Sequence, residues 1–573
     1  MNERTRTGID ILQVAAVVGI LGDMLLRATP WGLNVLLFNL AFVAGVVMLL
    51  RRRPPQYLTR QTWALLVAQI FFAALFVWRS SMELRFADTL AIIAILSVLL
   101  VPRMKIAASV AGVVHYFIAF LWSSFNAFLA PAMLIMTDIE WKIAPKSAFT
   151  KHIYAVLKGV AIGAPLIVIF GTLFVAADAT YQDLVQRAIN IDLSTAFTHV
   201  LLFSIFGWLS AGYLRGLVIS TAVAGDAIIN KPATHGSKMD QVRAEAGEEP
   251  QVLPSNRSVV EHINISDPPH SETPKQPAET KKSQWPIIDN LFLSSPFRLG
   301  SVEVGVILGL TNLLFLSFVI VQIPYLFGGM DLVQNTPDFK LAEYARRGFG
   351  ELVAVSALVL PMLLIGHWLI RKEDPFAEKL FRVLAGLQIV LLFVIMASAA
   401  QRLVLLTGNL GYGLTTIRLY PMIFMAWLAV VFIWFAFTVL RGNRRYFAWC
   451  ALWSAFIVLA ITHVLDPNAF IIKTNLVLMR EGRPFDALYN ARLGDDAIPT
   501  LAASLQELNA ADREIVVRQL SKGICEDQGT TDLRSWSISR SIAANTLRNS
   551  ALTNQMLNCG AGPPFPGDVP AER

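Results

Sequence analysis

Charge is scarce in this chain, and so is cysteine. Asp, Glu, Lys and Arg make up only 16% of the 573 residues, against roughly a quarter in an ordinary soluble domain. Three cysteines rule out a disulfide-dense scaffold. HExxH is absent, and no His, Cys or carboxylate pair has metal-ligand spacing, so neither a metal nor any other cofactor is indicated. No nucleophile–base arrangement rises above chance, which argues against an enzyme without excluding one. The glycine-rich run Thr407 to Gly413 lacks the Lys-Ser/Thr that completes a phosphate loop. The net charge of +7 does not indicate a nucleic-acid partner, because much of the basic excess sits in short connectors between apolar runs.

Those apolar runs are what the chain has instead. Hydrophobic residues reach 55%, and about twelve stretches are near the ~20 residues that cross a hydrocarbon core as helix. They fall at 9–26, 32–50, 62–78, 86–101, 106–137, 156–176, 197–220, 302–327, 350–370, 381–402, 419–440 and 446–465. In lipid every backbone N–H and C=O must be bonded internally. The expected fold is therefore all-α, a polytopic transmembrane bundle with a small helical extramembrane domain at the carboxyl end, and the bilayer is its first partner. Four regions follow: amino-terminal spans over 1–222, a polar insert over 223–299, further spans over 300–465, and a helical cap over 466–573. The insert is rich in Pro, Ser, Glu and Lys and cannot bury a core, so disorder is expected there.

Orientation comes from the basic connectors. Arg51-Arg52-Arg53, Arg371-Lys372 and Arg441 with Arg444-Arg445 should face the cytoplasm. The amino terminus and the insert then lie inside and the tail outside. Counting every stretch as one crossing contradicts this, since it flips the second half. The stretch 106–137 offers the repair: its 32 residues are long for one span, and Trp122-Ser123-Ser124-Phe125-Asn126 suggests a short hairpin, or a span followed by an interfacial helix. Gly159/Gly163 and Gly305/Gly309 are candidate close-packing pairs.

The polar chemistry concentrates at the outward helix ends. Thr336 and Pro337 suit the start of a helix on which Glu343, Arg347 and Glu351 share one stripe, with Arg346 beside it. Arg402 closes one span and Arg418 opens the next; Asp466 and Asn468 follow the last. These residues form either a salt-bridge collar that seats the tail or a surface whose guanidinium forks take a small anionic ligand. The tail should hold one helix over about 498–523, with a candidate break at Asp512-Arg513, and another over about 531–557 capped by Thr530 or Thr531. Cys525 and Cys559 could pair if this domain faces an oxidising compartment. Asp23, Asp88, His115, His367 and Gln388 are scattered through the spans.

Three segments, AEYARRGF at 342–349, GLTTIRLY at 413–420 and DAIPTL at 496–501, resemble a bacterial family of polytopic membrane proteins catalogued only as a domain of unknown function. The resemblance runs from about residue 150 to 505 and implies a multi-spanning protein without supplying an activity. Three roles stay open. The first is a non-catalytic sensor or envelope assembly protein with an anionic ligand or an envelope protein as partner. The second is a transporter or passive channel for a small solute, and the third is a membrane-embedded transferase.

Overall fold

The computed structural model describes residues 3–52, 58–104, 106–140, 193–219, 299–327, 349–370, 374–409, 413–442, 446–527 and 532–549. Among them are eleven helices long and apolar enough to cross a membrane: α1 (Glu3–Leu26), α2 (Leu33–Arg51), α3 (Arg60–Trp78), α4 (Met82–Leu99), α5 (Val113–Met133, continued by a wider turn to Asp138), α6 (Leu193–Val218), α7 (Ser301–Phe327), α8 (Phe349–Leu369), α9 (Pro375–Val404), α10 (Thr416–Thr438) and α11 (Phe447–Leu465). The tail adds α12 (Pro467–Arg480), α13 (Ala487–Ala491), α14 (Ile498–Ala503), α15 (Ala510–Asp527) and α16 (Ile538–Asn549). Two helices open on the same Asp-Pro signal. The Asp374 and Asp466 carboxylates cap α9 and α12, and the proline that follows gives up no needed N–H. The expected stretch at 156–176, with Gly159 and Gly163, lies outside the described residues.

Contacts between helix ends sort them onto two faces. Arg52, just past α2, pairs with Asp10 near the start of α1 at 2.6 Å. In the middle of the α2–α3 hairpin, Gln69 donates to Asn39 at 3.1 Å. Leu299, before α7, bridges to Ile370 after α8. His463 near the end of α11 meets Asp88 in the second turn of α4. One face therefore gathers the starts of α1, α3, α7, α9 and α11 with the ends of α2, α4, α6, α8 and α10. The other face carries the cap.

α5 departs from expectation. Ser109, just before it, accepts from Gln61 in the first turn of α3 at 2.7 Å. Asp138 at its far end accepts from Arg4 at 2.7 Å and from Arg215 in the last turn of α6 at 2.5 Å. All three anchors belong to the amino-terminal face, so α5 starts and finishes on the same side and adds no crossing. It is nevertheless one helix, neither a hairpin nor a span with a second helix behind it. The polar residues at its middle do not break it because they are satisfied in place. Asn126 donates back to Trp122 O at 2.8 Å and lies against α6, whose Gly212 comes so near that a Cβ there would sit 2.2 Å from Asn126 O. Residues 101–104 and 108–110, part of which was assigned to this span, form tight 3-10 turns instead.

Two apolar cores fill the bundle. One unites α1–α6 with Phe456 of α11; the other is built from α7–α10 with Phe447. Close approach falls at Gly19 and Gly207, where α1 and α6 cross: a Cβ on Gly19 would meet Phe203 O at 2.9 Å. The expected pair Gly305/Gly309 works differently, since a Cβ on Gly309 would meet nothing within 4 Å. A third core, including Ile472, Leu501, Val516, Leu520 and Leu547, belongs to the cap. The break in the predicted 498–523 helix falls at 504–509, ahead of Asp512, so that α14 and α15 are separate helices. The last helix begins at Ile538, after Ser537, and not at Thr530 or Thr531, which lie outside the described residues.

Candidate functional site at the cap seat

The cap is held to the bundle by a small number of buried charges. Asp496, whose side chain is 1% exposed, directs one carboxylate oxygen at three donors of the α3–α4 turn. Ser80 N and Ser81 N donate at 2.9 Å each, and Ser80 Oγ at 3.1 Å. Ser81 immediately precedes α4 and Ser80 comes before it, so the carboxylate lies beside the helix start, where a negative charge is favoured by the helix dipole. Asp496 thus ties the cap to the turn that leads into a membrane helix.

Arg79, the residue after α3, completes the seat. Its guanidinium stacks over Trp78 at 5.0 Å, donates to His463 O at 3.1 Å, pairs with Asp466 and lies 3.6 Å from Asp496. Asp466 joins α11 to α12 with φ +53°, a left-handed conformation that Asp tolerates better than most residues, and its other oxygen accepts from Ala469 N at 3.2 Å. Burial pushes the Asp466 carboxyl above the ordinary aspartate range, while Arg79 pulls it back. Ser81 Oγ lies 3.0 Å from the Tyr420 hydroxyl and bonds Glu83 at 2.9 Å. Arg85 sits within electrostatic range of Asp88, Asp495, Asp496 and Arg540, and its Nε and Nη2 have no hydrogen-bond partner among the described residues.

A second set of contacts seats α12 and α13 on the turn before α10. Gly413 has φ +69°, and Asn475 grips the next residue from both sides: Leu414 N donates to Asn475 Oδ1 at 2.6 Å, and Asn475 Nδ2 donates to Leu414 O at 3.1 Å. Thr416 N donates to the Tyr489 hydroxyl at 2.8 Å. The glycine-rich run therefore ends in a docking turn for the cap.

Of the residues singled out by sequence, Asp466 and Asn468 meet at this seat, Asn468 donating to Leu493 O. Arg418 donates to Gly413 O beneath it. Arg402, 7% exposed, bonds Gln322 of α7 at 2.7 Å, a partner within the spans. Glu351 is exposed in the first turn of α8. Glu343, Arg346 and Arg347 lie outside the described residues, as do Cys559 and the side chain of Cys525. Arg79, Ser80, Ser81 and Arg85 carried no sequence signal beyond sitting in a short turn between spans. Asp496 and Tyr420 did lie in the two later motifs, without a role attached.

Below the seat is a buried pair. His463 and Asp88 have side chains 0% and 1% exposed, with Nε2 and Oδ2 3.1 Å apart. The other imidazole nitrogen is 2.9 Å from Leu459 O. A carbonyl only accepts, so in this contact Nδ1 carries hydrogen. Asp23 likewise meets His199, at 2.6 Å. His367 stacks on Phe381, and Gln388 is fully buried with neither amide atom partnered among the described residues. A groove of about 390 Å³ between α10 and α11 is lined by Val431, Trp434, Cys450, Ala451 and Ser454. The Ser454 hydroxyl there is engaged with Ala451 O and Trp427, so the groove offers little polar chemistry. Among the described residues no three His, Cys, Asp or Glu side chains gather as a metal site.

A bundle of long apolar helices with exposed apolar sides, bearing one helical cap, defines an all-α multi-pass membrane protein. The chain belongs to the family described as Domain of unknown function (DUF4153), whose model matches residues 66–242 and 263–504. The match takes in Arg79, Tyr420, Asp466 and Asp496 and stops before α15 and α16. No curated protein and no solved structure matches the chain.

Proposed function

We propose that this is a bacterial inner-membrane protein with its cap on the non-cytosolic side, working as a non-catalytic sensor or envelope assembly protein. One observation carries the reading: the cap is locked by buried charges to the helix ends on one face, while the basic connectors belong to the other. Arg51 and Arg52 at the end of α2, Arg103 after α4 and Arg441 after α10 all sit on the amino-terminal face, and basic connectors stay in the cytoplasm. A cap coupled in this way to α3, α4, α10 and α11 can pass the state of an external ligand or protein partner to the spans, and in this reading the polar insert at 223–299 reports it inside.

Two experiments test the reading. Reporters fused after residues 250 and 573 should be active in the cytosol and outside it respectively; the reverse pattern would sink the orientation. Deleting the gene should compromise the envelope, scored as sensitivity to detergent or large antibiotics, and the D496A variant at unchanged abundance should reproduce the defect. An intact envelope in both strains would count against the role.

The buried Asp88–His463 pair favours a second reading, transport, because an ionisable pair within spans commonly marks an ion path. Solute flux in proteoliposomes that is lost in the H463L variant would select it.

A further inference from the structure

We propose that the cap is set into the interfacial zone of the bilayer that the helices cross, along an apolar edge formed by Trp31, Leu533, Trp536, Ile538 and Ile542. α16 turns the side expected for a water-soluble domain inside out at its start. It buries Ser539, along with Ala543 and Leu547, and leaves Ile538 and Ile542 on the outside, the latter 50% exposed. Leu533 is 80% exposed and Trp536 43%. In water this arrangement is unfavourable; against lipid it is the favourable one.

The height of this edge is fixed by hydrogen bonds. Arg534 donates to Met24 O in the last turn of α1, Leu33 N at the start of α2 donates to Trp536 O at 2.9 Å, and Ser539 Oγ lies 3.3 Å from Ser80 Oγ in the α3–α4 turn. The edge therefore lies level with the helix ends, not above them. The helices it is bonded beside carry exposed apolar stripes of their own: Val17, Ile20 and Met24 on α1, and Leu90, Phe86 and Met82 on α4. Trp31 and Trp536 suit the headgroup level, where an apolar ring and one N–H donor are both accommodated. The occupant is thus the headgroup–acyl boundary of the same membrane. This holds whichever side of the membrane the cap faces, and so goes beyond the proposed function.

The test places p-benzoylphenylalanine in turn at Leu533, Ile542 and, as a control on the exposed side of α15, Glu514. The full chain is studied in nanodiscs of phosphatidylethanolamine and phosphatidylglycerol. After irradiation, phospholipid adducts detected by mass at 533 and 542 should clearly exceed those at 514, since interfacial placement puts lipid beside the first two positions. Adduct yields at 533 and 542 no higher than at 514, or covalent dimers of the chain in their place, would overturn the proposal. A second measurement needs no probe. In nanodiscs of lipids brominated near the headgroup, W536F should lower the quenched share of tryptophan emission; an unchanged share would count equally against it.

Discussion

Replacing Asp496 with alanine should free the cap while leaving the spans folded. One buried carboxylate oxygen takes three hydrogen bonds from Ser80 and Ser81. Bonds to a charged group are worth about 1.5–3 kcal/mol each when made. Water can reach the α3–α4 turn once the cap lifts, and it will satisfy the same donors, so the sum is discounted. A net loss of about 2–4 kcal/mol remains, at or above the ~2 kcal/mol that bounds a single helix cap. At 1.4 kcal/mol per tenfold, the lifted state rises about 30- to 1,000-fold. Amide exchange on the protein in nanodiscs reads this directly. Protection should fall in α13, α14 and α16 and stay unchanged in the middle of α1–α4. The D496N variant keeps the shape and one acceptor oxygen but loses the charge, and should show about half the effect. Cap protection in D496A within threefold of the parent protein would refute the latch.

Three further outcomes follow from the same contacts. H463L alone strands a buried carboxylate and should cost about 3–5 kcal/mol, whereas adding D88L should restore most of the thermal stability in detergent; equal losses in the single and double variants would contradict a coupled pair. G413A should lower the melting temperature, because φ +69° costs an L-residue about 1–2 kcal/mol and its Cβ would meet Asn475 Oδ1 at 2.9 Å; G408A, where a Cβ meets nothing within 4 Å, should not. Asp532 is held below the ordinary aspartate value of 3.8 by side-chain and backbone hydrogen bonds from Arg534. A depressed value means its contribution is complete above 3.8 and vanishes as pH falls through the lower native value, so a spin label at position 533 should gain mobility only on strong acidification, and mobility independent of pH would exclude that contact.

The membrane fold was legible because hydropathy is a local property. Each span declares itself within ~20 residues, while α9 starts at Pro375, six residues ahead of Phe381, the first that hydropathy assigns to it. What was not legible is pairing. Asp496 finds Ser80 across 416 positions and Arg79 finds Asp466 across 387, and nothing in a single sequence links such partners. Arg402 and Arg418 stood out at helix ends; the first bonds a glutamine of the spans and the second a backbone carbonyl, pairings that the sequence did not announce either. The in-plane course of α5 was foreshadowed by the parity conflict, but its continuity was hidden, because Ser123 and Asn126 look like a break until the surface of α6 is placed against them.

The span between the latch's two halves has a consequence for how the molecule is made. Ser80 and Ser81 leave the ribosome hundreds of residues ahead of Asp496, so throughout synthesis the turn into α4 stays without its acceptor and Arg79 lacks its carboxylates. Closure of the cap is therefore a late event that reports a finished chain. A product truncated ahead of Asp496 would keep that turn and that guanidinium open.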